Sequence, residues 1–399
     1  MSDETTPAPV RRPGRAGWTA AAYFAFLAPA SVAGGMALAP LQVLAGLAAA
    51  PFSKDGKRIG LFLLAVAPLL LFAIWAAVSH TWSPVPRPEQ AVKVVGGCLA
   101  GVLFVAGLAA GGDKDRALGR ASVLAAVVVL IALSTIEAGG DLMINRMGAS
   151  TTDPGVIERN PGKGVSILVV LIWGAIGALI GGKHTWQRLT WRILLVCAAL
   201  LSLQFNMATN AAGFAMGFIA FVFGWMAPRI APIVISVGLA GWMLIAPWAS
   251  VIVLSLPGLQ ERLPLSWQMR AEIWRYASAR IDEKLITGWG LDGARKFGVE
   301  RLSLPGVGEF QAIPLHPHSF SMHVWLETGL VGAALAALAI LAAGLVASRT
   351  LGQSKAAAAA AVAAMATVGT IWNVSYGAWQ EWWIAAAFTG AAAAALARR

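Results

Sequence analysis

Charge is scarce in this sequence. Only 12% of its 399 residues are Asp, Glu, Lys or Arg, about half the share usual in a soluble domain, while 58% are hydrophobic and the mean hydropathy is +0.70. Those figures exclude a soluble fold. Cysteine is nearly missing too: Cys98 and Cys197 each fall inside an apolar run, the setting of two small buried thiols rather than of a disulfide or a metal site. No Asp-x-Asp pair appears in the segments assigned below to the outer side, so a carboxylate-held metal ion has no visible seat there. Nor does the second half repeat the first, which removes one common mark of a secondary transporter.

What the chain does have is apolar runs of about 20 residues, the length an α-helix needs to cross roughly 30 Å of hydrocarbon. Spans are expected at 17–35, 36–52, 59–79, 91–110, 121–138, 164–181, 193–208, 211–227, 230–254, 320–347, 356–372 and 381–397. The fold class is therefore an all-α polytopic membrane protein with about 12 transmembrane helices. It comprises a cytoplasmic tail at 1–16 and a single transmembrane domain at 17–397, with a long helical periplasmic loop at 255–320 before the tenth span. The basic flank and apolar run at the start also suit a cleaved signal peptide, but the topology closes only if that segment is kept as the first span.

The cations support this arrangement. With the N-terminus inside, the short inner segments collect 17 Lys and Arg, among them Arg11, Lys54, Lys57, Arg58, Lys183, Arg188, Arg192 and Arg399; the short outer segments hold only Arg87, Lys93, Arg146, Arg159 and Lys163. The formal charge of +11 thus reports topology and contact with anionic membrane lipid, not nucleic acid. The weakest division is QFNMATN (204–210), where a re-entrant pair is the alternative to two spans. Trp75, Trp82, Trp173, Trp372, Trp379, Trp382 and Trp383 are expected at the interfaces as an aromatic belt, and the Ala-rich stretch 333–363 as close helix packing.

Polar groups concentrate in HPHSFSMHVWLETGLVG (316–332), where the outer loop runs back into an apolar helix. Such groups at a membrane rim are functional candidates by default. Upstream, 266–286 reads as a helix with Trp267, Ala271, Trp274, Ser278, Ile281 and Leu285 on one stripe. Arg270 shares the face of Trp267 and Trp274 and needs an anionic partner. Histidine accepts a proton from a hydroxyl near neutral pH, and an arginine fork matches phosphate oxygens. Together they suit a reaction on a lipid-linked phosphate. The plainer alternatives are an H-x-H surface anchor, zinc on His316, His318 and His323, and Glu327 as a structural partner for a basic group.

These residues resemble the signature of the O-antigen ligase and polymerase superfamily, membrane glycosyltransferases that use undecaprenyl-diphosphate glycans. That signature runs H-x-H-N, several apolar residues, then E-T-G-x-x-G. Here His316, Pro317, His318 and Ser319 precede Glu327, Thr328, Gly329 and Gly332 at the same spacing, and the upstream Arg, Trp and G-x-G are matched by Arg270, Trp274, Gly288 and Gly290. Ser319 stands where Asn is common. The S-R pair that often opens a middle span is replaced by Thr209, Asn210, Ala211 and Ala212.

The resemblance implies inverting glycosyl transfer without metal or cofactor, at the periplasmic face of the bacterial inner membrane, with both termini cytoplasmic. Arg270, with Lys163 or Arg159, would hold the diphosphate of an undecaprenyl-diphosphate-linked glycan donor. His318 would serve as base on the acceptor hydroxyl, while His316, Trp274 and Glu327 complete the substrate-binding set. The acceptor is lipid A–core for a ligase, the favoured reading, or a growing glycan for a polymerase. A secondary transporter, with its site at mid-bilayer around Glu137 and Glu327, is the competing class.

Overall fold

The computed structural model describes residues 12–50 and 56–398. Arg11, Lys54, Arg399 and most of the expected tail lie outside the described residues, as do the side chains of Lys57 and Arg58. The described helices are α1 (Arg15–Val32), α2 (Leu38–Ala49), α3 (Gly56–Val78), α4 (Pro88–Ala110), α5 (Asp113–Gly139), the short α6 (Met143–Met147) and α7 (Pro154–Ile157), α8 (Arg159–Leu179), α9 (Thr185–Ser202), α10 (Ala208–Met226), α11 (Ala231–Leu254), α12 (Leu265–Glu283), α13 (Phe320–Leu351), α14 (Lys355–Val374) and α15 (Glu381–Leu396). Every expected span falls on one of them. Among the described residues, seven stretches, at α4, α5, α7–α8, α10, α11, α13 and α14, are long and apolar enough to cross a membrane. The chain is thus a helical polytopic membrane protein. The QFNMATN break is a tight turn between α9 and α10, with Phe205 and Asn206 both at positive φ.

α8 is the axis of the larger helical core. From Pro161 to Leu179 it is almost wholly buried, and α1, α5, α9, α10, α14 and α15 pack around it. A helix that is apolar on all sides has no face to present to water, so it goes to the centre. Apolar side chains gain little by leaving lipid for protein, so close approach of small residues must supply the packing. Gly174 shows this: a Cβ there would stand 2.5 Å from that of Ala393, so any larger residue pushes α8 and α15 apart. The alanines at 357–364 are buried in the same way on α14, as the Ala-rich stretch led us to expect.

The aromatic belt needs correcting. Trp173, Trp379, Trp382 and Trp383 are core residues, all at most 5% exposed. Trp173 donates its indole N–H to Thr367 Oγ1 (2.9 Å) and Trp379 donates to Glu327 Oε2 (2.5 Å), so protein groups replace the interfacial water that such side chains otherwise seek.

Charges expected on the same side of the membrane are brought to the same end of the bundle. At one end, Arg15 donates to the Ala50 carbonyl (2.7 Å), Arg120 to that of Arg398 (3.1 Å) and Arg229 to Gln353 (2.9 Å). At the other, Asn145 donates to the Val32 carbonyl (3.2 Å) and Asn206 to Glu158 (2.8 Å), and the segment 255–319 reaches the ends of α3 and α11, where Leu291 N donates to Ser79 Oγ (3.0 Å) and Arg275 to the Leu254 carbonyl (3.0 Å). That segment holds α12, which stops at Glu283, so Leu285 lies beyond the helix and outside its buried stripe. It also holds an unexpected hairpin of β1 (Arg301–Leu304) and β2 (Gly308–Gln311), antiparallel, with Arg301 opposite Gln311 and Leu304 opposite Gly308.

Candidate active site

The two glycine motifs are halves of one backbone joint. α13 is broken at Gly329, whose φ of 62° and ψ of −162° interrupt the helical ladder. The carbonyls of Leu326 and Glu327 then accept from Trp289 N and Gly290 N, both at 2.8 Å, and Leu330 N donates to Leu285 O at 2.8 Å. A break at membrane depth is tolerable because another protein segment satisfies the freed groups. Side chains cannot fit in the joint. Gly288 and Gly290 are at positive φ, and a Cβ on Gly288 or Gly329 would meet facing backbone at 2.4 or 2.3 Å.

Glu327 fastens the joint to its surroundings. It is fully buried, and its carboxylate accepts from Asp292 N (2.8 Å), Ala294 N (2.9 Å) and Trp379 Nε1 (2.5 Å). His323 Nε2 stands 3.0 Å from Oε1, close to it but not aligned as a hydrogen bond. Its other nitrogen, Nδ1, accepts from Ala378 N (2.9 Å), so the proton lies on Nε2 and faces the carboxylate. Glu327 therefore does not sit open to a substrate as the resemblance led us to expect; the protein's own donors occupy it. Asp292, whose oxygens stand 3.2 and 3.3 Å from Arg87 and Arg295, is pushed up in pKa by burial and then by the Glu327 charge.

The histidine loop is held through its own main chain. Trp274 Nε1 donates to the Pro317 carbonyl (2.8 Å), and His318 N donates to His316 Nδ1 (3.1 Å). His318 itself is left-handed, with φ of 54°, a conformation uncommon for a residue with a side chain and held here by its neighbours. Its Nδ1 lies 3.0 Å from the Ser375 carbonyl oxygen. A carbonyl only accepts, so Nδ1 carries the proton and Nε2 keeps its lone pair, as a base requires. Burial, and next the nearby Arg270 charge, pull the His318 pKa down to about 4. His316 is lowered well below the ordinary histidine value, first by burial and then by His318. Both rings are neutral at pH 7.

Arg270 is half-buried and lies over the Trp267 ring, 5.1 Å from its centroid. Among the described residues no carboxylate stands within ion-pair distance of it. Burial lowers its pKa, yet a guanidinium remains charged. Its field reaches Tyr376, whose phenol burial drives up in pKa. Tyr376 in turn packs edge-on to Trp382 (4.7 Å), and Lys163 lies over that indole at 5.7 Å, also without a described carboxylate. Arg270 and Lys163 thus each lie over an indole, that of Trp267 in one case and of Trp382 in the other. Arg159 is exposed one turn ahead of Lys163 and is not drawn to His318.

Residues 375–380, between α14 and α15, tie all of this together, and sequence reasoning missed them. Ser375 holds His318, Ala378 holds His323 and Trp379 holds Glu327; Gln380 Nε2 lies 3.1 Å from His316 Nε2. Tyr376 reaches back to α8. Ser166 gives its one proton to Asn210 Oδ1 (2.6 Å), which leaves Tyr376 to donate to Ser166 Oγ (2.8 Å). Asn210 also donates to the Gly162 carbonyl (3.1 Å), so where the family often carries an arginine this chain has an amide that pins the turn bearing Lys163. The available signal was a tyrosine, one of only three in the sequence, in the break SYG between two apolar runs.

The zinc arrangement does not match this geometry: among the described residues no three or more His, Cys, Asp or Glu are placed to hold one ion. A cavity of about 450 Å³ opens at the same end between α1, α5, α6 and α8, with Asn145 and Asn160 in its lining, but it touches neither His318 nor Arg270.

Comparison with known proteins bears out the resemblance. Residues 193–337 match the family model described as O-antigen ligase, a stretch that holds Arg270, His318 and Glu327 but not Lys163 or the 375–380 turn. A provisionally named polysaccharide ligase of Rickettsia bellii is 27% identical over 230 residues, 56% of this chain and 54% of that protein. Similarly named proteins of Rickettsia prowazekii and Rickettsia conorii are 24% and 25% identical over 271 and 278 residues, 66% and 68% of this chain. Those matches span 64% and 65% of the relatives' own lengths. No solved structure matches.

Proposed function

We propose that this protein is an O-antigen ligase-like glycosyltransferase that moves a glycan from undecaprenyl diphosphate to lipid A–core at the periplasmic face of the inner membrane. Twelve spans, counting α1, α2, α3, α9 and α15 with the seven above, keep both termini in the cytoplasm. The observation that carries the reading is the pairing of a neutral His318, its Nε2 lone pair unoccupied, with the uncompensated charge of Arg270.

Arg270, with Lys163, holds the donor diphosphate and stabilises charge as it leaves. His318 Nε2 takes the proton of the acceptor hydroxyl as that oxygen attacks the anomeric carbon. Inversion follows from the single displacement. Trp274 and His316 act by fixing the loop that carries His318. The mid-bilayer transport reading finds less support, because Glu137, like Glu327, is occupied by protein donors: Ile144 N at 2.6 Å and Asn145 Nδ2 at 2.8 Å.

Deleting the gene and displaying lipopolysaccharide on a gel tests the assignment. Lipid A–core without a ladder is expected, with restoration by the plasmid-borne gene. Core carrying a single repeat would instead make the enzyme a polymerase, and an unchanged ladder would remove both.

A further inference from the structure

We propose that the opposite end of the bundle carries a site for the phosphate headgroup of an anionic phospholipid, in the cleft between the α8–α9 turn and α9. The cleft has a volume of about 450 Å³, and Lys183, Arg188, Trp191 and Arg192 line it together with Gly181 and Gly182. Three cations converge on one cleft, and among the described residues no carboxylate stands within ion-pair distance of any of them. Among the described residues, Asp113 and Asp115 of that end are engaged elsewhere. Asp113 pairs with Arg116, and Asp115 accepts from Gly14 N (2.6 Å), Gly17 N (3.0 Å) and Gly112 N (3.0 Å).

The walls are set in place. Gln187 Oε1 accepts from His184 N (3.3 Å) and closes the turn, while Gly181, at φ of 77°, leaves one side open. Arg192 lies over the Trp191 ring at 5.4 Å. An indole beside cations is the pairing found where a ligand is half polar and half apolar.

A second feature separates a lipid from a free anion. Trp186, Leu189, Ile193, Val196 and Leu200 are all more than half exposed on α9 and recur at alternating steps of three and four. They form one apolar stripe beginning level with the cations and running along the helix toward the other end. A phosphate held by Lys183, Arg188 and Arg192 therefore leaves its acyl chains lying on this stripe. Inorganic phosphate satisfies the cations but gains nothing from the stripe.

Thermal-shift and native mass-spectrometric titration of the purified full-length protein tests this. Phosphatidylglycerol is expected to bind at least tenfold more tightly than phosphatidylcholine, and inorganic phosphate to give no comparable shift. The triple variant Lys183→Gln, Arg188→Gln, Arg192→Gln should lose the preference; all three side chains are exposed, so folding is spared. The pair Arg229→Gln, Lys355→Gln, at the same end, should keep it. Undiminished preference in the triple variant, equal loss in the control pair, or phosphate alone matching the lipid would each overturn the proposal.

Discussion

Two carboxylates and two cations at the loop end of this bundle are treated differently. Glu327 and Glu137 are both enclosed, and each fastens a loop by accepting main-chain N–H groups, Asp292 and Ala294 in one case, Ile144 and Asn145 in the other. Arg270 and Lys163 are partly buried and meet only aromatic faces. Burying a charge without a counter-ion is unfavourable, so the carboxylates read as scaffold and the cations as groups awaiting an anion. Which sign is left uncompensated is more informative here than where charge is found.

The largest effect that tests this contrast is expected at His318. His318→Ala should lower transfer by about 10²- to 10⁴-fold, the usual worth of a general base, with donor affinity unchanged in a filter-binding assay. Next, Arg270→Ala should reduce turnover about 30- to 1000-fold, while Arg270→Lys keeps partial activity because the charge survives and the fork does not. Glu327→Ala is expected to act on the fold: each orphaned donor among Asp292 N, Ala294 N and Trp379 Nε1 is worth about 1–3 kcal/mol, seen as a lower melting temperature. A Glu327→Ala protein that melts normally yet is inactive would break the contrast by making a carboxylate chemical.

Smaller still is pH. The free protein needs His318 neutral, so kcat/KM should fall only as pH drops through about 4. Bound diphosphate offsets the Arg270 charge and raises the histidine pKa, so the acid limb of kcat should lie at higher pH than that of kcat/KM. Coincident limbs would mean that Arg270 and the diphosphate do not meet near His318.

Much of this was legible in the sequence. Apolar run length located the helices, because the bilayer sets one length for those that cross it, and the spacing of the histidine and E-T-G motifs picked out His318 and Glu327, two residues that the 375–380 turn holds. What could not be read was who satisfies whom. Glu327 looked like a substrate-binding group because its donors lie 33 to 52 residues away in sequence. Tryptophans that composition places at interfaces are buried where a distant Thr367 or Glu327 receives their N–H. The 375–380 turn holds His318 and His323 through its own backbone groups, at Ser375 and Ala378, which no motif records. The β1–β2 hairpin escaped because four-residue strands leave too short an alternation to see.

The most direct test of the central claim is the affinity of undecaprenyl diphosphate for the purified protein in nanodiscs, compared among wild type, His318→Ala and the Arg270→Ala, Lys163→Ala double variant. The account predicts equal binding by wild type and His318→Ala, and at least a hundredfold weaker binding by the double variant. Equal affinity in all three would contradict it.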